Sequence, residues 1–266
     1  MLGIIIILGA AFAAGFVLLK EDGTPEPSPI NDGDEAPQNG GGEIPTDEGE
    51  EEDEEPLPIG NATVVRTIAT NQKVVVLTFD AGADRGFAAQ ILDTLAAEGI
   101  KATFGMTGKW AEQNPDLTLR MANEGHDFIN HTWSHRSFTG FSTNAAPPSS
   151  KERFDELRRT ENIIRDLTGV STKPFFRPPY GDYDNSVNTD IYAQGYTYNV
   201  MWTVDSLGWK GLSEEEITSR VVQGTVPGAI HLFHVGAESQ DAAALDDIIR
   251  ELRSRGYTFA RLSDLL

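Results

Sequence analysis

The stretch KVVVLTFDAGAD, residues 73 to 84, decides how the rest of the chain is read. From Val74 to Phe79 every position is apolar or β-branched, the pattern of a short strand buried on both faces. The strand ends by delivering one carboxylate, Asp80, and a second, Asp84, follows four residues later with only Ala and Gly between. Strands buried on both faces belong to parallel sheets, and parallel neighbours need long crossovers, usually helices. The chain should therefore alternate strand and helix.

It does so from residue 60 to the end. KATFGMTG, HDFINHT, KPFFRPP, TYNVMWTVD, GAIHLFHV and TFARLSDLL read as further strands. Between them, RGFAAQILDTLAAEG, NPDLTLRMANEG, SKERFDELRRTENIIRDLTG, SEEEITSRVVQG and QDAAALDDIIRELRSRG carry apolar residues at helical spacing. All five end at Gly, a frequent C-terminal stop, and DNSVNTDIYAQG is a weaker sixth. The fold class is α/β. No GxGxxG or phosphate loop follows any strand, which favours a distorted (β/α) barrel of about seven parallel strands with outer helices over a nucleotide-binding doubly wound sheet. In such barrels the polar residues at the C-terminal strand ends form the site.

The preceding residues are of another kind. Leu2 to Leu19 is 18 residues without a charge, nearly enough to cross a bilayer as a helix. Only the terminal amine precedes it, so residues 1–20 read as an uncleaved membrane anchor, with a cleaved export signal as the alternative. Residues 21–59 form an acidic Pro/Gly linker too poor in apolar residues to fold, and residues 60–266 the folded domain. The linker holds 15 acids and no Lys or Arg, which leaves 26 acids against 20 bases beyond it, so most of the net charge of −20 lies in the tether. That charge argues against nucleic acid as a partner. No protein partner is expected, and the absence of cysteine excludes a disulfide scaffold without fixing the compartment.

At successive strand ends stand Asp80, His131 with His135, Arg177, Asp205 and His234. Taken singly, each has a structural reading: Asp80 as a helix cap, Asp205 before SLGWKG as a turn residue. His131 and His135 lie at i and i+4, a spacing that on one helical turn points both rings to the same side, as a metal needs. In RPPYG, Pro178 and Pro179 stiffen the chain around Arg177 and Tyr180. In HLFH the two histidines are three apart on a strand, so only one of His231 and His234 faces the site.

In order, TFDAG, HTWSH, RPPYG, DSLGW and LFH resemble the five motifs of the polysaccharide deacetylases of carbohydrate esterase family 4, the group sharing the NodB homology domain. The resemblance covers about residues 73 to 266, and that family's distorted barrel agrees with the alternation. It implies metal-dependent hydrolysis of an N-acetyl group on a glycan. By that resemblance His131 and His135 would hold a divalent metal, usually zinc, with cobalt or nickel as alternatives. Asp80 would be the general base, oriented by Arg177, and the oxyanion would lean on the metal and the Tyr180 amide. His234 would protonate the departing amine while Asp205 holds its imidazole. Pro179, Tyr180, Trp209 and Leu232 would contact the substrate.

Two departures stand out. The family's first motif usually has a second Asp, a metal ligand, directly after the base, and here that position is Ala81. Asp84 either curls back as the missing ligand or caps the helix beginning near Arg85. In the fourth motif Gly208 stands where the family often has an acid. The resulting expectation is an extracytoplasmic N-deacetylase of cell-envelope glycan held to the membrane by its N-terminal helix. A catalytically silent glycan-binding module and an O-deacetylase of acetylxylan-type esters are the alternatives.

Overall fold

The structure, a computed structural model, describes residues 58–266. The expected anchor and nearly all of the expected linker lie outside them. Among the described residues no helix is long and apolar enough to cross a membrane.

The opening stretch forms β2 (Val74–Ala81), after a short β1 (Thr63–Val65). β3 (Thr103–Met106), β4 (Asp127–Asn130), β5 (Phe175–Phe176), β6 (Tyr198–Val200), β7 (Val204–Asp205) and β8 (Ile230–His234) follow. All pair in parallel, in the order β1-β6-β5-β4-β3-β2-β8-β7, and β9 (Thr258–Phe259) pairs with β2. Every residue of β2 is buried. β6 lies near one edge of the sheet and β7 at the other, yet only Met201 to Thr203 connect them. Four peptide steps reach at most about 14 Å, so the sheet must curl back on itself. A bridge between Thr67 and Ala229 ties the two sides together. This is the expected distorted barrel, incompletely closed.

Helices α1 (Ala88–Ala97), α2 (Gly108–Gln113), α3 (Pro115–Asn123), α4 (Ser150–Thr168), α5 (Asn185–Ala193), α6 (Glu214–Gly224) and α7 (Asp241–Ser254) cover the outside. Alternation along β2 divides the core. Val75, Leu77, Phe79 and Ala81 join the layer under the helices, where Phe79 stacks between Phe104 and Phe233 at centroid distances of 5.5 and 5.3 Å. Val76 packs with Ile129, Val200 and Ile230 in a second cluster on the other face.

Several expectations need correcting. TYNVMWTVD is two strands rather than one, and only Thr258–Phe259 of TFARLSDLL is strand, with a 3-10 turn at Leu262–Asp264. β1 and α2 were not anticipated: three and six residues are too few for a period to register. Gly99, Gly125, Gly169, Gly195 and Gly256 have positive φ, as helix stops should, but Gly224 remains inside α6.

Candidate active site

The strand-end residues converge at the C-terminal rim of the sheet. Asp80 and His234 are register partners across the β2–β8 pair, and Asp80 faces Gly105 across β2–β3. Gly105 is glycine for a reason: a Cβ there would overlap the Asp80 carboxylate. One layer deeper, Thr78 pairs with Leu232 and Thr103. Leu232 is thus buried beneath the rim.

Arg177, fully buried at the end of β5, clamps three elements. Its Nη1 donates to Asp80 Oδ1 at 2.7 Å, its Nε to the Val200 carbonyl at 2.9 Å and its Nη2 to the Met201 carbonyl at 3.4 Å. Burial alone pushes the Asp80 carboxyl up, but the charge and hydrogen bond of the Arg177 guanidinium lead the effects that outweigh it and hold the group below the ordinary 3.8. Asp80 is therefore an ionised, oriented acceptor at neutral pH.

The Arg177 main chain does a second job. Its N–H donates to the Asn130 carbonyl at 3.0 Å and its carbonyl accepts from His131 Nδ1 at 2.8 Å. A carbonyl only accepts, so Nδ1 carries the proton and Nε2 presents its lone pair, 3.6 Å from Asp80 Oδ2. His131 and His135 meet edge to face at 4.9 Å between centroids. They do so on an irregular loop rather than on the helical turn that their spacing suggested. Thr132 and His135 both adopt positive φ, 65° and 61°, and Thr132 Oγ1 accepts the His135 N–H at 3.1 Å. Desolvation lowers both imidazoles, His135 to about 3, so both are neutral.

Neutral imidazoles with one fixed lone pair suit a borderline cation such as zinc. Two protein nitrogens are all that this pair offers. Ala81 has no donor atom, and its side chain belongs to the helix-facing core. Asp84 is neither of the things expected of it. Its Oδ1 accepts the Ala237 N–H at 3.0 Å, while α1 begins at Ala88 behind an uncapped Phe87. Among the described residues no three His, Cys, Asp or Glu side chains converge as a metal cage.

Tyr180 sits at the rim, half exposed, with φ 62° inside the Pro179–Gly181 turn and its ring 4.8 Å from that of His135. Pro179 beside it is buried. Asp182 fastens the loop after His135 to this turn, accepting from the hydroxyls of Ser137 and Ser142 and from the Ser142 N–H. Trp209, also half exposed, lies 6.4 Å from His234. His231 points elsewhere, fully buried with Nε2 on Thr225 Oγ1 at 2.9 Å, as strand alternation required.

Asp205 is displaced from its expected role. Its carboxylate accepts from the Leu207 N–H at 2.9 Å and from Trp209 Nε1 at 3.3 Å. The acid beside the His234 imidazole is Asp241, with Oδ2 3.9 Å from Nδ1. Gly105 escaped sequence reasoning because it acts on the side chain of Asp80, distant in sequence, and Asp241 because its place beside His234 is set by the docking of α7 on β8.

The family model for polysaccharide deacetylase matches residues 67–199. Across 198 residues the chain is 37% identical to a peptidoglycan-N-acetylglucosamine deacetylase of Bacillus cereus, covering 73% of this chain and 69% of that one. The chain belongs to the polysaccharide deacetylase family. The peptidoglycan-N-acetylmuramic acid deacetylase PdaA of Bacillus subtilis is 31% identical over 200 residues, 74% of this chain and 73% of that one. A crystal structure of a peptidoglycan N-acetylglucosamine deacetylase superposes with a TM-score of 0.70 at 33% identity, over 76% of this chain and 92% of that one. Another solved member of the family is described as a pseudoenzyme from Bacillus anthracis, with a TM-score of 0.68 and 27% identity over 76% of this chain and 68% of that one. Membership alone therefore does not guarantee turnover.

Proposed function

We propose that this polysaccharide deacetylase removes acetyl groups from N-acetylglucosamine or N-acetylmuramic acid residues of cell-wall peptidoglycan. The observation that carries the reading is the Asp80–His234 register pair, a base and an acid on adjacent strands flanking one point at the rim. Asp80, ionised and aimed by Arg177, accepts a proton from the attacking water. His234 gives a proton to the amine nitrogen as the C–N bond breaks. The Tyr180 main chain at the rim supplies an N–H for the oxyanion, and Trp209 and Leu232 wall the acetyl group. A divalent cation on His131 and His135, zinc by donor type, would supply positive charge beside the carbonyl oxygen and the water. We place the domain outside the cytoplasm, tethered by the apolar segment at Leu2 to Leu19, or free of it after cleavage.

A second reading, a silent glycan-binding module, is favoured by one feature: Ala81 and the diverted Asp84 leave the two histidines without a third protein ligand. An O-deacetylase is the chemical neighbour of the first reading. Acetate release from N-acetylglucosamine oligomers, peptidoglycan and acetylxylan in parallel separates the three. Release from the amides supports the proposal, from the ester alone the O-deacetylase, and binding without release the module.

A further inference from the structure

We propose that Asp241, the first residue of α7, is the positioning residue for His234, and that position 208 is glycine to make room for it. The inference deepens the deacetylase reading and rests on it for its mechanistic meaning.

Asp241 is fully buried, an expensive place for a carboxylate unless a partner repays the desolvation. Its Oδ2 accepts the backbone N–H of His234 at 2.8 Å, which locks the end of β8 onto the start of α7. The same oxygen lies 3.9 Å from His234 Nδ1. Two buried polar atoms in this neighbourhood have no hydrogen-bond partner, and they are His234 Nδ1 and Asp241 Oδ1. A proton on Nδ1 would give the Asp241 carboxylate a second donor, and closing the 3.9 Å gap to it is what the proposal requires of the working site.

Gly208 completes the arrangement. An ideal Cβ there would overlap Oδ1 and Cγ of Asp241 and meet Ser239 Oγ at 2.6 Å. Any side chain at 208 evicts the Asp241 carboxylate, and an acid at 208 would fill the same space. Asp205 is occupied by Leu207 and Trp209, so it does not compete. Burial pushes the Asp241 carboxyl above the ordinary 3.8, and the hydrogen bond from the His234 N–H offsets this only in part. With Nδ1–H held on Asp241, the imidazole directs Nε2 at the cleft, where its proton passes to the departing nitrogen.

The test is made on the full chain with two substrates and one spectrum. An N-acetylglucosamine oligomer needs a proton on its leaving amine, whereas 4-nitrophenyl acetate expels a phenolate that needs none. For Asp241→Asn the ratio of acetamide to aryl-ester turnover should fall at least about tenfold, in kcat rather than KM. An equal fall on both substrates would mean a merely structural role and overturn the proposal. The double variant Gly208→Asp with Asp241→Gly should recover more of that ratio than either single variant, and no recovery counts against it.

Nitrogen-15 NMR of the His234 ring reads the contact without any turnover. Nδ1 should be the protonated nitrogen in the wild type and lose that preference in Asp241→Ala. An unchanged tautomer in a folded Asp241→Ala protein overturns the inference. If the wild type releases no acetate from the amide, the deacetylase reading fails by itself and the spectrum still decides the contact.

Discussion

Replacing Arg177 by methionine tests the electrostatic centre of the site. The substitution keeps an unbranched chain to about the level of Nε but removes three hydrogen bonds: those to Asp80 Oδ1 and to the carbonyls of Val200 and Met201. Asp80, 8% exposed, is left a buried charge with its main partner gone. Breaking a buried pair from one side costs about 3–5 kcal/mol, against a total domain stability of roughly 5–15 kcal/mol. The sign of the pH dependence should also change. In the wild type the Asp80 carboxyl is held below its ordinary 3.8, so its contribution is present above that pH and is lost as pH falls through the lowered value. Without Arg177, burial dominates and the folded-state value rises. The protonated form is then favoured on folding, and stability falls as pH climbs through the acid range. Urea denaturation in EDTA at several pH values reads both effects. Asp80→Asn with Arg177→Met should be less destabilised than the two single losses sum to, by about 2 kcal/mol. A loss below about 1 kcal/mol in Arg177→Met, or strict additivity of the pair, would refute the clamp.

Other variants probe single assignments. Asp84→Ala should cost about 0.5–1.5 kcal/mol for the lost bond to Ala237 and leave zinc affinity unchanged by calorimetry; a tenfold weaker Kd would make Asp84 a ligand. Gly105→Ala should displace Asp80 from Arg177, costing about 1–3 kcal/mol of stability and a larger share of activity; wild-type turnover would show that the tight approach is unimportant. His231, pushed down to about 3 by burial, binds no proton in the folded state at pH 5, whereas the unfolded chain does. Stability should therefore fall by about 2 kcal/mol for this group between pH 7 and pH 5, and His231→Gln should flatten the denaturation profile by about that amount.

The parts of the site that sequence revealed are those set by strand ends. Asp80, Arg177 and His234 each close an apolar run, and a parallel barrel brings such ends to one rim whatever the loop details. The histidine pair was visible but its support was not, because helical spacing is one of several ways to bring i and i+4 together, and positive φ at Thr132 and His135 does it here. Asp205 illustrates the limit. A strand-end acid next to the right motif read as the partner of His234, yet the turn that it caps claimed its oxygens first. Asp241 carried no signal beyond lying in a stretch of helical spacing, and its place beside His234 depends on how α7 docks on β8. Gly105 carries no local signal at all, since its need for a bare Cα comes from a side chain on the neighbouring strand.

The most direct test of the account is acetate release from an N-acetylglucosamine oligomer and from peptidoglycan by the protein stripped of metal and then given zinc, cobalt or nickel. The account predicts no release after chelation, turnover restored by a divalent cation, and none in Asp80→Asn. Tight glycan binding without acetate release under any of these metals would contradict it and identify a binding module on a deacetylase frame.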